Sequence, residues 1–223
     1  MLNFVFAESA LELVPKEIWS HPAVVSDSKR RGVRAGEMLL DRSFHHSAMG
    51  RLRDTEKRGR PDLVHVALLS VTGTPLYLEG RVRVFVHAYA GLVIELAEKT
   101  RIPKSYLRFR GLIEKCLVEG PTEGLLRLHR MSFADLIRKT TSERVFGLTV
   151  RGRRATVAEF AGEVVLVQNP CVVVGGFPHG HFSGEVEKMI DQLVRIDRRP
   201  LEAHVVAARV VYEVEKATKG FND

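Results

Sequence analysis

The apolar positions of this chain recur with two periods, and the exchange between them outlines an α/β fold. Leu2-Asn-Phe-Val-Phe6 is an apolar, aromatic run suited to a buried opening strand. Ser9 stands where it could cap a short helix that Pro15 interrupts. Across residues 36–49 the apolar residues Met38, Leu39, Leu40 and Phe44 fall at helical spacing. Pro61 suits the first turn of the next element, whose apolar run to Val71 predicts a buried helix, with a strand as the alternative. Residues 81–97 predict a hairpin: Val82, Val84 and Val86 alternate, Ala88-Tyr-Ala-Gly91 turns, and residues 92–96 return. Pro103 then begins a helix with Tyr106, Phe109, Ile113 and Cys116 as its buried stripe. Beyond it, strands over 125–131 and 145–150 alternate with helices begun by the capping boxes Ser132-x-x-Asp135 and Thr156-x-x-Glu159.

The last third changes character. Two β-branched runs, 164–167 and 171–174, read as buried strands or one interrupted strand. The second ends abruptly in Gly175-Gly176-Phe177-Pro178-His179-Gly180. A buried strand discharging into a glycine-rich loop is either a tight turn before a helix or a ligand site just past the strand's carboxyl end. Residues 193–196 form a further short strand, Asp197-Arg-Arg-Pro200-Leu201 follows, and a long helix covers about 201–216, with Pro200 in its first turn. Alternating strands and helices favour one domain over 1–223, built on a mostly parallel sheet, with the 81–97 hairpin and a basic insertion at 29–60 as additions.

Composition sharpens this picture in a few places. The net charge is +7 over 223 residues, which points to a polyanionic partner. Ten basic against four acidic residues between 29 and 60 account for nearly all of that excess, and 51–60 reads as an exposed arm or loop. Cys116 and Cys171 sit in apolar runs and suit a reduced core rather than a disulfide framework. Nine histidines include His45-His46 and His179-Gly-His181, without further ligands at zinc spacing, so no metal site is expected. Neither a dinucleotide G-x-G-x-x-G nor a P-loop occurs. No apolar run approaches the ~18 residues of a membrane span, and the expectation is a cytoplasmic protein.

Two clusters carry candidate chemistry. Arg60-Pro61-Asp62-x-x-His65 sets opposite charges two residues apart at a helix start, where Asp62 serves either the helix dipole or an arginine aimed at RNA. Arg101, Lys104, Arg108 and Arg110 gather four cations without an acid between 101 and 110. Lys104 and Arg108, one turn apart near a helix start, suit nucleic-acid phosphates.

In order along the chain these segments resemble the SPOUT-class ribosome-biogenesis methyltransferases of archaea and eukaryotes that act on N1 of pseudouridine. The resembling segments are Arg60-Pro61-Asp62-x-x-His65, Arg101-Ile-Pro103 with Arg108-Phe109, the glycine loop, and Ile196-Asp-Arg-Arg-Pro200-Leu201. The resemblance implies a trefoil knot within 165–217 and S-adenosyl-L-methionine as cofactor. It implies cofactor contacts from Val174, Gly175, Gly176, Phe177, His179, Gly180, Ile196, Pro200 and Leu201. It also implies contact of Arg60, Arg101, Lys104 and Arg108 with a small-subunit rRNA hairpin, and a catalytic Arg60 oriented by Asp62. A homodimer with the active site at its interface is implied too, with ribosomal proteins or assembly factors as further partners. Lys104 replaces the arginine usual in the family, and Glu202 stands where serine is frequent. Two other functions fit the same resemblance: a non-catalytic RNA-binding assembly factor, and a SPOUT methyltransferase acting on another RNA atom.

Overall fold

A computed structural model describes residues 1–122 and 124–219. In chain order it contains β1 (Leu2–Ser9), α1 (Pro22–Arg31), α2 (Arg42–Met49), α3 (Pro61–Thr72), α4 (Pro75–Leu78), β2 (Val82–Ala88) and β3 (Leu92–Leu96). There follow α5 (Tyr106–Glu119), β4 (Leu126–Arg130), α6 (Phe133–Thr140), β5 (Val145–Arg154) and α7 (Val157–Leu166). The chain continues through β6 (Cys171–Gly175), α8 (Gly184–Glu187), β7 (Gln192–Arg195) and α9 (Ala203–Lys219). The strands form one sheet in the order β4-β3-β2-β1-β6-β5-β7. Every pairing from β2 through β7 is parallel, and only the hairpin β2-β3 and the edge pair β3-β4 run antiparallel.

The period-2 pattern of β1 explains the layering. Leu2, Phe4 and Phe6 point into one apolar cluster with α3, α5, α7 and α9, while Val5 and Ala7 point into another with α6 and α8. Both faces of the central strands are thus covered, as a parallel sheet requires. Cys116 and Cys171 are free and buried in these two clusters.

Several expectations change. Ser9 starts no helix: it ends β1 and its Oγ donates to Phe6 O at 3.0 Å. Glu8 before it adopts a left-handed φ of 49° where the β1-β2 register shifts, and this turns the chain out of the sheet. Residues 164–167 are not a strand. The Thr156 capping box nucleates α7, and Phe160, Ala161 and Val164 then face the core, so packing overrides β-branched propensity. Helix α2 begins only at Arg42, capped by Asp41. Met38, Leu39 and Leu40 ahead of it are buried in irregular chain, with Leu39 bridged to Leu13. Helix α5 starts at Tyr106 with Ser105 before it, so Lys104 lies outside the helix and the one-turn pairing with Arg108 does not form. Helix α9 likewise starts at Ala203, leaving Pro200 in the preceding loop.

The basic insertion has a small core of its own, and within it residues 51–60 form a partly exposed loop with one short 3-10 turn, Thr55–Lys57. Helices α1 and α2 enclose a cluster of Val14, Ile18, Val24, Met38, Leu40, Ala48 and Met49. Arg58 is buried in a two-pronged ion pair, with Nε donating to Glu12 Oε1 at 2.6 Å and Nη2 to Glu12 Oε2 at 2.7 Å. Desolvation of Arg58 is outweighed by Glu12, which leaves its pKa raised.

Candidate active site

A cavity of about 480 Å³ opens at the carboxyl ends of β5, β6 and β7. This is where a parallel α/β sheet leaves room for a ligand. One wall is the glycine loop: Val174, Gly175, Phe177, Pro178, His179, Gly180 and on to Phe182. The other is the loop between β7 and α9, contributing Arg195, Ile196, Asp197, Arg199, Pro200, Leu201 and Glu202. Leu148, Thr149 and Val150 of β5, Leu63 of α3 and Ala203 and Val206 of α9 complete it.

The surroundings of the glycine loop explain why it holds its shape. Gly180 sits at φ +103°, a conformation that side chains rarely adopt. Lys57 from the basic insertion lies behind the loop, its Nζ 4.7 Å over the Phe177 ring and 2.9 Å from Glu8 Oε2. The same Glu8 carboxylate accepts from Ser183 N at 3.1 and 3.2 Å, so one buried acid ties β1, the insertion and the loop's end together. Across the cavity, Asp197 Oδ1 accepts from Arg199 N at 2.9 Å and shapes the second loop.

Eight of the nine residues expected to touch the cofactor therefore line one cavity. Gly176 is the exception and does not line this cavity. It is buried against the end of β1, with its N–H bonded to Ala7 O at 2.8 Å and its C=O to Ala10 N at 2.8 Å. An added Cβ there would strike Ser9 Oγ and lie 2.8 Å from Ser9 Cβ. The wall from β5 is invisible in the sequence because strand order is a tertiary property. Asp197 is marked there only by its Asx-type spacing to Arg199.

Arg60 and Asp62 meet at the start of α3. Nε and Nη2 of Arg60 donate to Oδ1 and Oδ2 of Asp62, each at 2.8 Å. Burial raises the Asp62 carboxyl, but the hydrogen bonds and charge of Arg60 outweigh that and hold it below the usual carboxylate range. Arg60 is raised by its bonds to Asp62 and also feels Glu202, a cavity residue, and Asp41. With Leu63 in the cavity wall, the Arg60–Asp62 pair borders the pocket while both side chains stay partly exposed.

His65 ties two parts of the chain together. Its Nε2 lies 2.7 Å from Pro103 O and its ring stacks on Phe109 at 4.4 Å, pinning the Arg101-Ile-Pro103 loop to α3. Buried Ile102 anchors the same loop. Tyr106 OH donates to Asp41, which also caps α2 through Ser43 N. Burial first and Asp41 second push the Tyr106 hydroxyl far above its ordinary value, so it remains a donor. These pins present Arg101, Lys104 and Arg108 as exposed cations beside the Arg60 end of the cavity, with no ion-pair partner among the described residues. No group of three or more His, Cys, Asp or Glu side chains able to hold a metal occurs among the described residues.

Sheet, cavity and basic rim together define a cofactor-binding α/β protein with a polyanion-facing edge. A family model described as EMG1/NEP1 methyltransferase matches residues 4–215. The chain is 39% identical over 222 residues to Ribosomal RNA small subunit methyltransferase Nep1 of Staphylothermus marinus, covering 96% of this chain and 95% of that one. It is 44% identical over 216 residues to the protein of the same name from Pyrobaculum neutrophilum, covering 95% and 96%. The crystal structure of Archaeoglobus fulgidus Nep1 bound to S-adenosylhomocysteine superposes with a TM-score of 0.87 at 34% identity, covering 97% of this chain and 98% of that one. The chain belongs to the EMG1/NEP1 methyltransferase family.

Proposed function

We propose that this protein methylates small-subunit rRNA with S-adenosyl-L-methionine, at N1 of a pseudouridine, during small-subunit biogenesis. The observation that carries the proposal is the glycine-loop cavity, in a chain so similar to a Nep1 crystallised bound to S-adenosylhomocysteine, the demethylated cofactor. The lining suits that ligand: Leu148, Val174, Ile196, Leu201 and Val206 offer apolar surface to an adenosine ring, and Gly175 and Gly180 offer bare backbone. When bound, the cofactor supplies a methyl group already made electrophilic by its sulfonium. The chain's own task is to position the nucleophile and manage one proton.

Arg60 is suited to stabilise the anion that develops as N1 of the base loses its hydrogen. Asp62 holds Arg60 by two hydrogen bonds, and its lowered pKa makes it a weak proton acceptor, so its role is orientation. Arg101, Lys104 and Arg108 hold the hairpin backbone beside this point. A homodimer completes the proposal. Leu166 and Tyr212, exposed on the packed helices α7 and α9, are apolar surface that a second copy would cover. The chain works as one domain built on one sheet, with a knot within 165–217, in the cytoplasm, alongside ribosomal proteins or assembly factors.

The test offers the protein labelled cofactor and matched rRNA hairpins that differ only in uridine or pseudouridine at the target. Label should enter the pseudouridine hairpin alone. Equal labelling, or label in a ribose, would assign another RNA atom. No label despite tight binding of both ligands would leave an assembly factor.

A further inference from the structure

Beyond the cofactor cavity β5 continues to Arg154, and its last residues pair in parallel with β7, Arg153 opposite Val194 and Arg154 opposite Arg195. Two cations facing each other on neighbouring strands repel, and a sheet keeps them at a loss unless an anion lies close by. Arg153 is provided for by an ion pair with Glu163. Arg154 and Arg195 have no carboxylate within ion-pair distance among the described residues. The acids nearby are Glu159, whose charge acts on Arg153 and Arg154 from beyond ion-pair distance, and Asp197. Glu159 Oε2 accepts from Thr156 N at 2.7 Å and Thr156 Oγ1 at 2.9 Å within its capping box. Asp197 Oδ1 accepts from Arg199 N at 2.9 Å and from Arg199 Nε at 3.3 Å.

These residues surround a second cleft, of about 650 Å³, lined by Arg154, Ala155, Thr156 and residues 195–199. Four arginines therefore stand against one aspartate around a single concavity. The cleft shares Arg195, Ile196, Asp197 and Arg199 with the cofactor cavity, so the two adjoin across one loop. Guanidinium forks match the paired oxygens of a phosphate in a way that lone ammonium groups do not.

We propose that this arginine cleft is a second phosphate-binding site, holding the backbone of the rRNA strand that flanks the target nucleotide. It is built from β5, β7 and the loop after β7, elements separate from those carrying Arg101, Lys104 and Arg108. The target base would then be fixed between two backbone grips, one on each. The proposal rests on the rRNA-methyltransferase reading of the adjoining cavity.

Arg154→Gln and Arg198→Gln, singly and together, test it in the full chain loaded with S-adenosylhomocysteine. Each should weaken hairpin binding about three- to tenfold and lower the salt slope by roughly one unit or slightly less for each phosphate released. Arg154→Lys should keep the salt slope, because the charge remains. Cofactor affinity should hold within about twofold, and the melting temperature of Arg154→Gln should stay level or rise because a repulsion is removed. Unchanged RNA affinity and salt slope would overturn the site. So would lost cofactor affinity with RNA binding intact, a dimer that dissociates, or a lowered melting temperature, since the arginines would then serve the cofactor, an interface or the fold. Arg101→Gln separates the two readings. If it weakens binding and the cleft variants do not, only the cleft fails; if the wild-type chain binds no hairpin, the rRNA reading itself fails.

Discussion

Gly176 is the glycine whose substitution is most informative, because its backbone is not in a left-handed conformation and alanine there is purely a steric change. The new Cβ would lie 2.8 Å from Ser9 Cβ and 2.9 Å from Ser9 Cα, and Ser9 Cα is backbone of the central strand and cannot swing aside. Nor can Gly176 retreat, since both its amide and its carbonyl are bonded to the chain at the end of β1, at 2.8 Å each. Overpacking of this kind costs about 1–3 kcal/mol. Loosening two backbone hydrogen bonds adds about 1 kcal/mol each. With about 3 kcal/mol as a central figure, a chain of this size should lose roughly 6–12 °C of melting temperature. The loop anchored to β1 here also forms the cavity wall. If the free chain relieves part of the clash by shifting the loop, and binding must restore the loop at a cost of half that penalty, cofactor affinity should fall about tenfold. Thermal unfolding of Gly176→Ala followed by calorimetry with S-adenosylhomocysteine measures both. A melting temperature within about two degrees of wild type, with unchanged affinity, would show that β1 and the loop are not locked together as described.

Other parts of the molecule give three further expected outcomes. Arg58→Met leaves Glu12 buried without its cation, and should cost about 3–5 kcal/mol in chemical denaturation; a loss below about 1 kcal/mol would mean the insertion is loosely attached. Glu95 is raised by burial but pulled down to about 2 by its hydrogen bonds to Lys139, His129 and Arg83. The stability it contributes is therefore full above its unfolded pKa of 4.5 and is lost as pH falls from there through 2, so Glu95→Gln should flatten the stability profile in that acid window only. Asp62→Asn keeps size but releases Arg60, and should lower kcat about tenfold to a hundredfold while hairpin affinity changes little; equal losses in kcat and binding would make the pair a binding element only.

The parts of the site made from contiguous residues are readable in the sequence. A β-branched run that stops at Gly175-Gly176 announces a strand end and a loop, and both capping boxes mark their helices. What escapes depends on neighbours distant in the chain. The 164–167 run has strand composition, but the Thr156 box and the burial of Phe160 and Val164 make it helix. Arg58 looks solvated among nine other cations, and only Glu12, forty-six residues earlier, explains its burial. Arg154 and Arg195 face each other through strand order, which no local pattern records. Gly176 reads as a loop glycine by its type, and its tight approach to Ser9 is not visible in the sequence.

The place of β1 in the sheet has a consequence for how the chain is made. The strand of the sheet that comes first in the chain, β1, is also the innermost, parallel to β2 on one side and to β6 on the other, with Asn3 opposite Cys171. Its β2 edge can close early, but its second edge must wait for nearly 170 further residues. At about 5–20 residues per second that is roughly ten to thirty seconds with an apolar central strand half covered. A chain released before β6 would carry Val5 and Ala7 at an open sheet edge, the template on which strands from separate molecules pair. Slow synthesis, premature termination or a late block in translation should therefore yield aggregates in preference to a smaller folded core. The cofactor cavity, whose walls also include the loop after β7 and the start of α9, forms later still.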